Sequence, residues 1–212
     1  GKSASLTAPS GSAQAMLIVA AWAAVDSGAP PYIEAHGTGT PLGDPIEVGA
    51  ATAVLGSRGE DAGAVSLSAS KTYIGHTEPA AGLVGVLAAT AALAHAHAPA
   101  MLHLRAMNPH VRLVLSMGGA CAFASLRGVG TAPCVADEMR TTGVSSFAFQ
   151  GTNAHALVGR RCAQGGSLAV GLSRRHVRGV DRGERHWVTV EAHAFLQYVW
   201  SVYEGCVRIA SY

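Results

Sequence analysis

The chain has 212 residues, 49% of them hydrophobic, long enough to bury the core of one domain or of one domain with an appendage. Its formal net charge of +2 selects no partner, and an aromatic content of 6% argues against a surface built to stack sugars or nucleic-acid bases. Charge is unevenly spread: residues 1–159 carry 7 Lys+Arg against 9 Asp+Glu, and residues 160–212 carry 8 against 4, which sets the last quarter apart.

Residues 12–27 (SAQAMLIVAAWAAVDS) are rich in helix formers and close on Ser27-Gly28, a helix stop followed by Pro30-Pro31. Tyr32 to Ala35 then reads as a short strand. Asp44 offers an N-cap, Pro45 suits the first helical position and Glu47 stands three residues beyond the cap, which predicts a capping box and a helix over about 45–55. The pattern repeats. "AVSLSAS" alternates small and apolar residues, "KTYIGHTEP" is a polar loop, and an apolar helix is predicted over about 79–97 with Thr77 as its cap.

Two strand–loop–helix units in succession predict a largely parallel sheet with ligands outside the carboxyl ends of its strands, where His36 and His76 both fall. "GVSSFAF" (143–149) and "NAHALVG" (153–159) predict two further strands, antiparallel to each other. Beyond residue 159 no periodicity is sustained, so the chain divides into a domain over 1–159 and a linker or unassigned tail over 160–212.

The longest uncharged stretch, Pro79 to Leu104, is long enough to raise a membrane span. Its Ala and Gly content, three histidines and Pro99 identify it instead as a buried helix of a soluble protein. Cys121, Cys134, Cys162 and Cys206 show no CxxC spacing, so neither a zinc knuckle nor a disulfide framework is expected, and a reducing, cytoplasmic or organellar compartment is. Position 1 is Gly and the sequence opens in mid-pattern, which predicts a fragment of a longer protein.

Two neutral imidazoles, His36 and His76, converging at one sheet edge could donate N–H groups to one carbonyl oxygen and stabilise an oxyanion or enolate. Lys71 supplies a cation that either biases that site or pairs with Asp44, Glu47 or Glu78. Thr38 and Thr40 add hydroxyls for a polar, amide-containing ligand. Asp44 and Glu47 read first as capping residues, and a turn or an N-cap is an adequate structural reading of the same loops. His95, His97, His103 and His110 have no carboxylate or thiol at a ligand spacing, so no metal site is expected. "GKS" at 1–3 lacks the upstream glycines of a phosphate-binding loop, and GTGTPL fails the dinucleotide pattern.

"EAHGTGTPLGDPIEVGA", "SASKTYIGHTEPAAGLVGVL", "LHLRAMNPH" and "GVSSFAFQGTNAHAL", in this order, resemble the C-terminal half of a polyketide-synthase β-ketoacyl synthase, a thiolase-like ketosynthase, over residues 1 to about 159. The resemblance implies the second half of an α/β/α/β/α sandwich, and decarboxylative Claisen condensation of an acyl cysteine thioester with a malonyl thioester. By the same resemblance His36 and His76 support decarboxylation and the enolate, and Lys71 matches the lysine of the motif that bears the second histidine. Thr38 and Thr40 would bind the phosphopantetheine arm, Phe149 would gate the acyl pocket, and Asn153 and His155 would be structural. No cofactor is bound directly, substrates riding on the phosphopantetheine of an acyl-carrier-protein. The implied partners are that carrier, the N-terminal ketosynthase half and a second copy in a homodimer, with neither nucleic acid nor a membrane span.

The nucleophilic cysteine of the family belongs to the N-terminal half, and Cys121 in "GGACAFASL" reads as an ordinary thiol. The chain by itself is therefore expected to be inactive. Tyr73, Ala148 and Gln150 depart from the family pattern, the last two replacing glycines of the gating loop. A non-catalytic chain that retains the fold and works by association is the alternative reading.

Overall fold

The computed structural model describes residues 8–23, 32–55, 65–118, 121–123, 141–148, 151–160, 168–171 and 187–189. The helix stop at Ser27-Gly28, Phe149 (expected to gate the acyl pocket), the loop residue Gln150, and Cys134, Cys162 and Cys206 lie outside them.

Helix α1 (Gly11–Trp22) opens on Ser10, whose Oγ accepts the Ala13 N–H at 3.4 Å. Strand β1 (Tyr32–Glu34) leads into the glycine-threonine loop and helix α2 (Gly43–Leu55). Strand β2 (Val65–Ser68) leads into a one-turn helix α3 (Lys71–Ile74), a 3-10 turn (Glu78–Ala80) and helix α4 (Ala81–His95). Helix α5 (Pro109–Gly118) follows, then strands β3 (Cys121–Phe123), β4 (Thr141–Phe147), β5 (Asn153–Arg160), β6 (Leu168–Gly171) and β7 (Trp187–Thr189).

The seven strands form one sheet in the order β3-β2-β1-β4-β5-β6-β7. The first four are parallel, with Ile33 opposite Leu67 and Gly143, and the last four are joined antiparallel, with Ser145 opposite His155. The expected parallel sheet with an antiparallel β4–β5 pair is what forms. The segment 160–212, expected as a linker or unassigned tail, adds the strands β6 and β7 to the sheet beyond β5.

Strand residues alternate between faces. Ile33, Val65 and Leu67 pack with Ile18, Val48 and Leu55 on the side of α1, α2 and α5, whereas Tyr32, Val144 and Val158 pack with Ala89, Ala92 and Leu93 of α4 on the other. Helices thus cover both faces of one sheet. The apolar run 78–95 is the one helical stretch among the described residues long and apolar enough to cross a membrane, and α4 uses that apolarity against the sheet.

Three local expectations need correction. Helix α2 begins at Gly43, its first N–H being taken by the Thr40 hydroxyl at 3.0 Å, because Glu47 turns inward and closes no capping box with Asp44. Thr77 makes no side-chain capping bond, and α4 starts only after a 3-10 turn carrying Pro79. Helix α4 ends two residues early, at His95, in a Schellman-type arrangement, with His97 N–H to Ala92 O at 3.0 Å and Ala96 N–H to Leu93 O at 3.3 Å. Ala96 therefore sits at φ 50, where a Cβ is strained. Replacing Ala96 by Gly should raise the unfolding free energy by about 0.5–1 kcal/mol, read from urea denaturation at neutral pH. An unchanged or lower midpoint would refute this account of the helix end.

Candidate active site at the carboxyl edge of the sheet

The exits of β1 and β2 are adjacent because the strands pair in parallel, Glu34 opposite Ser68. The loops that follow each carry one of the histidines, and the two imidazoles meet edge to face, with ring centroids 5.9 Å apart and planes at 88°. Phe147, the last residue of β4, also meets His36 edge to face, with ring centroids 5.8 Å apart. Pairing with β1 brings β4 there, so Phe147, a residue not singled out in the sequence, meets His36 where the gating role was expected of Phe149.

Several backbone constraints hold this pair. The Glu47 carboxylate accepts the N–H groups of His36 at 2.7 Å and of Gly37 at 2.9 Å, which ties the β1 exit to α2. Gly37 adopts φ +49 and lies so close to the β2 exit that a Cβ would stand 2.5 Å from the Ala69 Cβ. Asp44 accepts the Gly39 N–H at 3.1 Å. Nδ1 of His76 accepts the Glu78 N–H at 2.9 Å, so the neutral ring carries its proton on Nε2.

Burial, then the charges of Lys71 and His76, pull the His36 imidazole down to about pH 4, so it is neutral at physiological pH. Burial also lowers the Lys71 ammonium, against which the carboxylates of Glu34 and Glu47 act. Burial pushes Glu47 up to about 7 despite its two amide donors, and raises Asp44.

A cleft of about 470 Å³ opens over this edge. Gly37, Thr38, Asp44, Glu47, Lys71 and His76 line it. Met101, His103, Leu104, Met107 and Val111 also line it, and the His103 N–H bond to the Thr72 hydroxyl at 3.3 Å ties this segment to α3. Lys71, Thr38 and His76 therefore face one space, with His36 directly beside His76. Thr40 instead serves the start of α2 and approaches Thr38 at 3.5 Å. Cys121 pairs with Val65 at the amino end of β2, the opposite edge of the sheet from the histidines. No group of three or more metal-ligating side chains occurs among the described residues.

Asn153 opens β5 opposite Phe147, its Nδ2 buried with no partner among the described residues. His155 is buried beside Ser145, Oγ to Nδ1 3.0 Å, and meets Trp22 edge-on at 6.4 Å. Burial lowers its imidazole to about 4. The unfolded chain takes up a proton near pH 6.5 that the folded chain refuses until about 4, so this contribution is present above 6.5 and is lost as pH falls through that window. Between pH 7 and 5 the protein should lose about 2 kcal/mol more stability than a His155→Gln variant. Parallel stability–pH curves for the two would contradict that assignment.

Residues 1–105 match the family described as beta-ketoacyl synthase, C-terminal domain. The chain is 41% identical over 160 residues to erythronolide synthase EryA3 of Saccharopolyspora erythraea, covering 74% of this chain and 5% of that protein. It is 40% identical over 161 residues to the mycoketide-CoA synthase of Mycobacterium tuberculosis, covering 74% and 4%. The fold is similar to the oxazolomycin ketosynthase domain OzmH KS7 of Streptomyces albus, with TM-score 0.63, 28% identity and coverage of 84% of this chain and 30% of that one. It is likewise similar to the ketosynthase from module 6 of the bacillaene synthase of Bacillus subtilis, with TM-score 0.64, 27% identity and coverage of 77% and 29%. The chain thus spans less than a third of each of these relatives.

Proposed function

We propose that this chain, which belongs to the β-ketoacyl synthase family by the match of its residues 1–105 to that family's C-terminal domain, supplies the decarboxylation and enolate-stabilising half of a polyketide-synthase condensation site. The reading rests on one observation above all. Two imidazoles from adjacent loops stand 5.9 Å apart, one held neutral by burial and the other with its Nδ1 occupied, next to a lysine and an open cleft.

The substrate is a malonyl thioester carried on the phosphopantetheine of an acyl-carrier-protein. Its thioester carbonyl oxygen accepts N–H bonds from His36 and His76. The bond to the carboxylate breaks, carbon dioxide leaves, and the electron pair is held as the enolate. The enolate carbon then bonds to the carbonyl carbon of an acyl group on a cysteine, and the acyl–sulfur bond breaks to release thiolate. Cys121, the one cysteine among the described residues, is at the wrong edge for that nucleophile, which the proposal assigns to the N-terminal ketosynthase half. Lys71 biases the site toward negative charge, and Thr38 on the cleft wall binds the amide-rich arm. Phe147 meets His36 edge to face, and the dimer of ketosynthases is the expected assembly.

The test is release of labelled carbon dioxide from a malonyl thioester by the polypeptide that carries these residues together with an N-terminal half. Release that depends on both histidines supports the reading. Release at the uncatalysed rate from a folded protein refutes it and leaves a chain that works by association.

A further inference from the structure

Glu34 has no task in the reaction as written, yet it is 1% exposed and sits at the junction of the two loops. It ends β1 beneath α4, where a Cβ on Gly85 would stand 3.6 Å from its Cγ. Its carboxylate accepts the Tyr32 hydroxyl at 2.5 Å through Oε2 and the Ser70 N–H at 2.5 Å through Oε1. Ser70 is the residue from which α3 starts, and Lys71 is the next.

We propose that Glu34 is a positioning residue for Lys71, gripping the turn from which the lysine springs and placing a buried negative charge behind it, on the side away from the cleft. A charged residue inside an otherwise apolar strand is costly unless it is fully bonded. Here the two donors and the lysine offset part of what the burial removes, and the Glu34 carboxyl still titrates above the ordinary carboxylate range. The direction of the titrations agrees: burial raises Glu34 while Ser70, Tyr32 and Lys71 oppose it, and burial lowers Lys71 while Glu34 and then Glu47 oppose it. The other titratable groups around the lysine are His36 at the β1 exit, Asp44 and Glu47 from α2, His76 on its own loop and His103 in the cleft lining.

The sequence makes the experiment direct, because Lys2 and Lys71 are the only lysines. With ε-¹³C-lysine in the full chain, the two resonances separate by titration and are assigned by Lys71→Met. In Glu34→Gln, which keeps the shape and an acceptor for Ser70 but removes the charge, the Lys71 midpoint should fall by about half a unit or more. Tyr32→Phe should shift it less and in the same direction, and it decides the matter if Glu34→Gln fails to fold. A Lys71 midpoint unmoved in the folded variants overturns the proposal.

The proposal uses the catalytic reading of Lys71 only for its consequence. In the polypeptide that releases carbon dioxide, Glu34→Gln should slow release and add no further loss to Lys71→Met. Full activity in Lys71→Met would sink the catalytic role of the lysine and leave the titration result standing, whereas additive losses would overturn the coupling of Glu34 to Lys71.

Discussion

Replacing His36 by Ala should cut carbon dioxide release from a malonyl thioester by about 10²–10³-fold, with the thermal unfolding midpoint within a few degrees of the parent. The imidazole is neutral, flanked by His76 and Phe147, and its loop is fixed through backbone bonds to Glu47 that the substitution leaves in place. The imidazole's own Nδ1 has no hydrogen-bond partner among the described residues. A donor lost at a developing oxyanion therefore shows in the rate more than in the fold. His76→Ala should give a loss of the same order, and the double variant should fall little further, because two donors to one oxygen act as a unit. A loss below tenfold for both single variants would sink the proposed mechanism.

The second large effect is expected at Gly37. Alanine there would be held at φ +49 with its Cβ 2.5 Å from that of Ala69, too close for either to stay in place. Strain and overpacking together predict a destabilisation of about 2–4 kcal/mol. Ala69 leads through Ser70 to Lys71, so relief of the clash separates the loop bearing His36 from the turn bearing Lys71 and His76. A displacement near 1 Å at this point should cost about 10²-fold in rate in whatever protein remains folded. Gly37→Ala combined with Ala69→Gly removes the clash and keeps the strain, so it should recover part of the stability and most of the rate. If the double variant is no better than Gly37→Ala, close approach is not what selects glycine, and the backbone angle alone is.

Much of this architecture is legible in the residues because it rests on local rules. Alternation and turn residues place β1, β2, β4 and β5, and the apolar stretch places α4, because strand and helix periods impose different spacings on apolar side chains. The repeated strand–loop–helix pattern put His36 and His76 on the same edge, and the resemblance carried by the HGTGT and IGH strings gave them a role. What those rules miss is the direction a polar side chain takes once its helix docks. Asp44-Pro45-Ile46-Glu47 has the spacing of a capping box, yet a carboxylate has more to gain from two otherwise unpaired amides at the β1 exit than from its own helix end, and Glu47 turns there. Thr40, read as a ligand group, takes over the helix start for the same reason.

Phe147 and Glu34 were hidden in a different way. Phe147 looks like one more apolar residue of a strand and becomes part of the site only because β4, distant in sequence, inserts beside β1. Glu34 left a trace, a charged residue in an apolar strand, but its partners Tyr32 and Ser70 are recognisable only once β2 lies alongside.

By itself the sequence determined the class of fold, the family and the two histidine-bearing loops, since each of these is written in short contiguous strings whose meaning is local. Tertiary structure decided which residues share the cleft, which carboxylates face inward and how strongly burial holds His36 neutral. Those properties depend on strand order and on distances between segments 30 to 110 residues apart, where desolvation and hydrogen-bond partners are set by packing and have no counterpart in sequence spacing.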